Sequence, residues 1–272
     1  LDIGPGDEMG FDPGVIPGSG NFVMIRKNKS LGQWYGYKID GVYASQHEIN
    51  EQGLTEVLGQ KIASIRPGDY RFRDQNGDGK ITSADLVLLG SGEPDFTGGL
   101  TNTVSYKNLS LSVAMQFSYG ATVFNANLHS LTSGRDGHNQ IAEMNTKSWS
   151  PTLYDADGNV FFAGNNEAKY RMPGGVALNY CTSKMLEDGS FLRIGDITLA
   201  YALGKKVAKK VGMQNIKLFA SVKNLCVFTK YTGFDPEVNT RQGQTGDLMP
   251  SLDYSAYPVS YTHLRAHETD SY

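Results

Sequence analysis

Leu109-Ser110-Leu111-Ser112-Val113-Ala114-Met115-Gln116-Phe117-Ser118-Tyr119 alternates large apolar with small or polar side chains without a break. A strict period of two is the signature of a β-strand, whose successive side chains point to opposite faces. Leu109, Leu111, Val113, Met115, Phe117 and Tyr119 share one face; Ser110, Ser112, Ala114, Gln116 and Ser118 share the other. The preceding run, Gly98 to Tyr106, places Leu100, Val104 and Tyr106 opposite Thr101, Thr103 and Ser105. Only Lys107-Asn108 separates the two runs, so they read as a hairpin with a tight turn. Two architectures fit such a pair. One is a sandwich, with the apolar face on a core. The other is a barrel in a membrane, with lipid on one side and water on the other.

Connection lengths favour the barrel. Ser190 to Leu203, with Ile197, Leu199 and Tyr201 in phase, and Asn215 to Lys230 read as two more strands. The links at 107–108 and 204–214 are short, whereas those at 44–97, 120–189 and 231–258 are long. Strict alternation of short and long links is the pattern of outer-membrane barrels, with their short periplasmic turns and long extracellular loops. The fold class read from the chain is therefore all-β and antiparallel. The remaining elements are minor. Residues 22–25 and 33–43 are strand candidates, residues 46–58, 125–131 and 140–147 are candidate short helices, and Asp155 to Asn159 is a turn. Gly204 to Gly212 is a basic connector read as a solvated turn or a single helical turn.

The composition agrees. The chain has 272 residues, a net charge of −3, 32 Gly and 15 Tyr, with 19% charged residues. Many turns and aromatic girdles suit a β-barrel, and the charge gives no reason to expect a nucleic-acid partner. No apolar run is long enough for a transmembrane helix, which says nothing against membrane strands. No signal peptide opens the chain, and its start reads as the interior of a longer protein. Cys181 and Cys226 follow no metal or redox spacing and read as free thiols, with a disulfide between them the alternative. No nucleophile elbow, zinc-protease motif or positioned carboxylate pair stands out, so an enzyme is not expected.

Asp74-Gln75-Asn76-Gly77-Asp78-Gly79-Lys80-Ile81-Thr82-Ser83-Ala84-Asp85 fits the twelve-residue calcium loop of the EF-hand type. A hard cation needs several oxygens, and a short loop must bend sharply to supply them. Asp74, Asn76 and Asp78 stand at positions one, three and five. Gly79 stands at the turn, Lys80 offers its carbonyl at position seven, and Asp85 closes the loop. Ile81 is the apolar anchor, and Thr82 is a further oxygen donor. The closing residue is Asp where a bidentate Glu is usual, and no helix pair flanks the loop. Residues 67–73 read as extended, and Ser83 to Leu89 allows one or two helical turns. The expected cofactor is one structural Ca²⁺; the alternative is an Asx- and Gly-rich turn without metal.

Four passages resemble the SusC/RagA-type TonB-dependent outer-membrane receptors: Trp34 to Tyr43, Pro67 to Ile81, Ser190 to Tyr201, and Lys223 to Glu237 with its Thr-Lys-Tyr-Thr-Gly-Phe-Asp-Pro-Glu ending. The resemblance implies part of a 22-stranded barrel, formed by residues 1–258 as a C-terminal portion holding five or six strands and appearing in isolation as an open curved sheet. It implies a transporter importing oligosaccharides or peptides across the outer membrane, with long loops outside the cell. The implied partners are a SusD-like surface lipoprotein and the TonB complex, the latter reached through an N-terminal part that this chain lacks. Residues 259–272 break the alternation and resemble translated sequencing adapter, a non-native tail. The competing reading is a secreted β-sandwich carbohydrate-binding module with a structural calcium loop.

Overall fold

The computed structural model describes residues 8–11, 23–26, 28–133, 139–172, 180–210, 212–240 and 249–254. The suspected tail at 259–272, and any strand at its approach, lie outside the described residues. The chain divides into two compact units, one of residues 93–122, 188–237 and 256–272, the other of residues 1–92, 123–187 and 238–255.

The first unit is a four-stranded antiparallel sheet in simple sequence order: β1 (Phe96–Tyr106), β2 (Leu109–Tyr119), β3 (Phe191–Ala202) and β4 (Lys217–Thr229). The β1–β2 register is unbroken from Phe96 opposite Tyr119 to Tyr106 opposite Leu109. Lys107 takes a φ of 53°, the left-handed conformation on which tight hairpin turns depend. The β2–β3 and β3–β4 ladders each shift register beside Gly195. That extra residue is why Ile194 and Ile197, three apart, both lie on the side of the large apolar residues of β2. The basic connector forms a short helix, Lys205–Lys210. Turns at 107–108 and 203–216 close one end of the sheet, and every longer connection leaves from the other. Among the described residues β1 and β4 each have one neighbour, so the sheet is open at both edges.

The second unit is built from the long connections, which carry more order than their sequence suggests. The aromatic run at 33–43 is two strands rather than one, Gln33–Gly36 and Ile39–Val42. It changes partners at Gly36, where a Cβ would come within 2.6 Å of the Cys181 carbonyl oxygen. Tyr37 donates its amide to that carbonyl at 2.9 Å. The helix expected over 46–58 is Gln46–Gln52 only. Ser45 caps its start, and Gly53, at φ 72°, ends it in the left-handed conformation. Downstream of the acidic loop a single 3₁₀ turn, Ser83–Asp85, gives way to a strand, Val87–Ser91, paired with Gln33–Gly36. The helix expected at 140–147 is the single turn Met144–Lys147, and the one near 125–131 is Ala126–Thr132.

Two apolar clusters hold this unit. One gathers Val23, Trp34, Phe124, Cys181, Met185, Met249 and Leu252, with the Trp34 and Phe124 rings stacked at 5.3 Å. The other gathers Tyr37, Ile39, Leu54, Val57, Phe72 and Ile81. Both cysteines are free. Burial pushes the Cys181 thiol well above its ordinary pKa, which makes it unreactive.

Candidate functional site

The sheet of β1–β4 has two chemically distinct faces. Register places Phe96, Leu100, Val104 and Tyr106 on the same side as Leu109, Leu111, Val113, Met115, Phe117 and Tyr119. Leu192, Ile194, Ile197, Leu199 and Tyr201 of β3 follow, then Leu218, Val222 and Phe228 of β4. The opposite side carries Thr101, Thr103 and Ser105, then Ser110, Ser112, Ala114 and Gln116, then Arg193, Asp196 and Thr198. There hydroxyls pair across strands, Thr103 with Ser112 at 3.0 Å, Ser105 with Ser110 at 3.2 Å and Thr198 with Ser221 at 3.2 Å.

The apolar side is uncovered: Leu100 is 55% exposed, Val104 61%, Tyr106 69% and Phe228 58%. A half-exposed side chain of this size forgoes about 1 kcal/mol of burial. The whole face therefore forgoes on the order of 10 kcal/mol, as much as the net stability of an ordinary domain. Such a face needs an apolar solvent. Aromatic residues mark its two ends, Phe96, Tyr119 and Phe228 at one and Tyr106 and Tyr201 at the other. The ten steps from Phe96 to Tyr106 span about 33 Å along the strand. Tilted by about 40°, this is about 25 Å of height, the depth of an outer-membrane apolar band. At the first end Phe96 stacks on Tyr119 at 5.2 Å and meets Phe117 edge-on at 6.1 Å. Gly98 makes room for the Phe117 ring, which a Cβ there would meet at 2.5 Å.

The acidic loop is a tight, internally hydrogen-bonded turn. Gly77 and Gly79 take φ of 75° and 77°. Asp74 accepts the Gly77 amide at 2.7 Å and the Gly79 amide at 2.8 Å. These bonds, that from Gly79 foremost, hold its pKa below the ordinary carboxylate range. Asn76 accepts the Asp78 amide at 2.9 Å, and Asp78 accepts that of Lys80 at 2.8 Å. Asp85 is fully buried and receives the amides of Gln75 at 2.9 Å and Thr82 at 2.8 Å, tying the loop's end to its beginning. Ile81 is also fully buried, and the strand Lys80–Ile81 runs parallel to Glu56–Val57. Among the described residues no three acidic, His or Cys side chains converge as a metal site. A cation here would therefore draw on Asn76 and the Lys80 carbonyl as well as the acids. Each side-chain oxygen of Asp74, Asn76 and Asp78 that accepts an amide keeps a second lone pair, so the donor chemistry suits a hard cation.

Sequence reasoning passed over one cluster on the polar face. Arg193 of β3 reaches Asp235 at 2.7 Å and Glu237 at 3.3 Å. Gln116 of β2 donates to Glu237 at 3.3 Å. The available signal was a pair of opposite charges, Arg193 and Asp196, in an otherwise neutral strand.

The chain is 33% identical over 237 residues to TonB-dependent receptor P3 of Formosa agariphila, covering 86% of this chain and 22% of that protein. It is 25% identical to the TonB-dependent receptor SusC of Bacteroides thetaiotaomicron, over 90% of this chain and 20% of SusC. No protein-family profile matches the chain. Among solved structures it resembles the RagAB peptide transporter with a TM-score of 0.61 at 17% identity, over 93% of this chain and 23% of that one. At that identity the likeness is one of fold. The chain thus spans about a fifth to a quarter of the length of the curated relatives it matches.

Proposed function

We propose, because this chain belongs to the SusC/RagA-type TonB-dependent outer-membrane receptors, that it forms a stretch of barrel wall and extracellular loops in a nutrient importer. The observation that carries this is the two-faced sheet, apolar and aromatic-banded on one side and hydroxyl-lined on the other. The complete receptor would close about 22 strands around a polar passage, since a membrane sheet must leave no unpaired edge in lipid. We infer a SusD-like surface lipoprotein as its partner outside the cell and the TonB complex as its energy source. Its cargo would be oligosaccharides or peptides. One fold neighbour is named a peptide transporter, which supports the peptide class. No catalytic role is proposed.

The loop of Asp74, Asn76, Asp78, Lys80 and Asp85 is proposed to hold one structural Ca²⁺. The ion would supply positive charge that draws the loop's oxygens together; the protein's own part is the buried Asp85 closure and the Ile81 anchor.

The test is genetic and biochemical. Cells lacking the full-length receptor should fail to grow on one oligosaccharide or peptide source, and loss of TonB should give the same defect. The tagged receptor should co-purify with a lipid-anchored partner in mild detergent. Unchanged growth on every source would contradict the importer reading.

A further inference from the structure

The segment leaving β4 turns back across the polar face of its own sheet. The Tyr231 amide donates to the Thr229 hydroxyl at 3.1 Å. Its ring lies over Gly233, where a Cβ would meet ring atoms at 2.4 Å. Tyr231 and Pro236 are buried, whereas Phe234 at the tip is 70% exposed. Asp235 and Glu237 then meet Arg193, whose side chain is only 12% exposed. A guanidinium so shielded from water requires countercharge, and these two carboxylates provide it. Asp235 also accepts the Glu237 amide at 2.9 Å, which fixes the turn presenting both acids. Below the guanidinium lies the Phe191 ring, 5.5 Å away. Of the other ionisable residues of this face, Asp196 and Lys223 stand opposite one another in the β3–β4 register, and Lys217 lies at the far end opposite Ala202.

We propose that residues 231–237 are a strap at the mouth of the barrel, and that Arg193 is the positioning residue that fastens it to the wall. That the strapped side faces the passage rests on the outer-membrane reading; the fastening itself does not. The strap lies at the end of the sheet from which the long connections leave, so it narrows the opening and sets where the following loop begins. It is a clamp that can let go. Both acids converge on one nitrogen, Nη2, and the buried Nε of Arg193 has no partner, so the guanidinium is not held by its full donor fork. Glu237 is 57% exposed, so Asp235 provides most of the hold.

Hydrogen–deuterium exchange on the full-length receptor in micelles, read in peptides covering 231–237, tests this. Arg193→Gln and Asp235→Asn should each speed exchange there about tenfold or more, since each leaves a shielded charge unpaired. Peptides from β2 should be unchanged. The double variant should exchange no faster than either single one, because both remove the same interaction. Arg193→Lys, which keeps charge but not shape, should fall between. Wild-type exchange in both single variants, or strictly additive increments, would overturn the strap. If Arg193→Gln fails to give a heat-modifiable folded barrel, Asp235→Asn, outside the wall, decides alone. A negative result leaves the barrel reading intact, since that reading is tested by lipid accessibility.

Discussion

Single side chains bear contrasting duties in this protein. Asp85 spends both oxygens on backbone amides inside the unit, whereas Asp78 is exposed, with one oxygen on the Lys80 amide and the other on the Asn76 side-chain amide. Asp78→Ala should therefore abolish calcium binding by calorimetry while leaving the loop folded. Equal binding by the wild type and this variant would make the loop a turn and nothing more. Asp85→Ala should instead unfold the loop, as loss of a buried, doubly bonded carboxylate orphans two amides, at about 1–3 kcal/mol each. Gly98 sits at the other extreme, valuable for what it lacks. Gly98→Val would drive a side chain into the Phe117 ring, and overpacking of this kind costs about 1–3 kcal/mol. The urea midpoint of the refolded receptor should fall accordingly, and an unchanged midpoint would show that the ring moves freely aside.

Short elements hold the second unit together, and each depends on a few anchors. The strand Lys80–Ile81 is secured by Ile81 in the cluster with Val57 and Phe72. Ile81→Ala should cost about 2–5 kcal/mol and raise hydrogen exchange at Leu58, whose amide bonds the Ile81 carbonyl at 2.9 Å. Glu143 secures the turn Met144–Lys147 through Lys147 at 2.9 Å, Lys169 at 3.1 Å and the Tyr170 hydroxyl at 3.0 Å. Hydrogen bonds from Lys147, Lys169 and Tyr170 pull its pKa down to about 2. A carboxylate lowered on folding stabilises the fold above its unfolded value, about 4.3, and that support fades as the pH falls toward about 2. Protection of the Tyr170 amide should thus be level from pH 7 to 5 and decline below about 4, with the step absent in Glu143→Gln. Elements like these were the least legible in the sequence. Their strands run two to five residues, too short for a periodic signal, and their partners lie far along the chain, as Tyr37 and Cys181 do. The acidic loop was legible because its constraint is local: side-chain oxygens that accept loop amides, and positive-φ glycines, at fixed spacing.

At the scale of the molecule, the wall was read almost residue by residue from its alternation. Strand β2 has the bounds that the pattern gives, and β3 and β4 differ only at their ends. The phase change at Gly195 was not foreseen, because a bulge leaves the composition of a strand unchanged and alters only which side each residue faces. Alternation was also silent on what covers the apolar face. The exposure of Leu100, Val104, Tyr106 and Phe228 together, banded by aromatics, supplies that answer. The most direct test of the wall is a pair of nitroxide labels, at Val113 and at Ala114, in the full-length receptor reconstituted in lipid. A background with Cys226→Ser, and with any accessible cysteine elsewhere in the receptor replaced, confines labelling to the chosen site, and buried Cys181 stays unlabelled. The label at 113 should collide with lipid-soluble oxygen and be shielded from a water-soluble nickel chelate, with the opposite pattern at 114. Equal accessibility at both positions, or the reverse assignment, would contradict a wall that separates lipid from a polar passage.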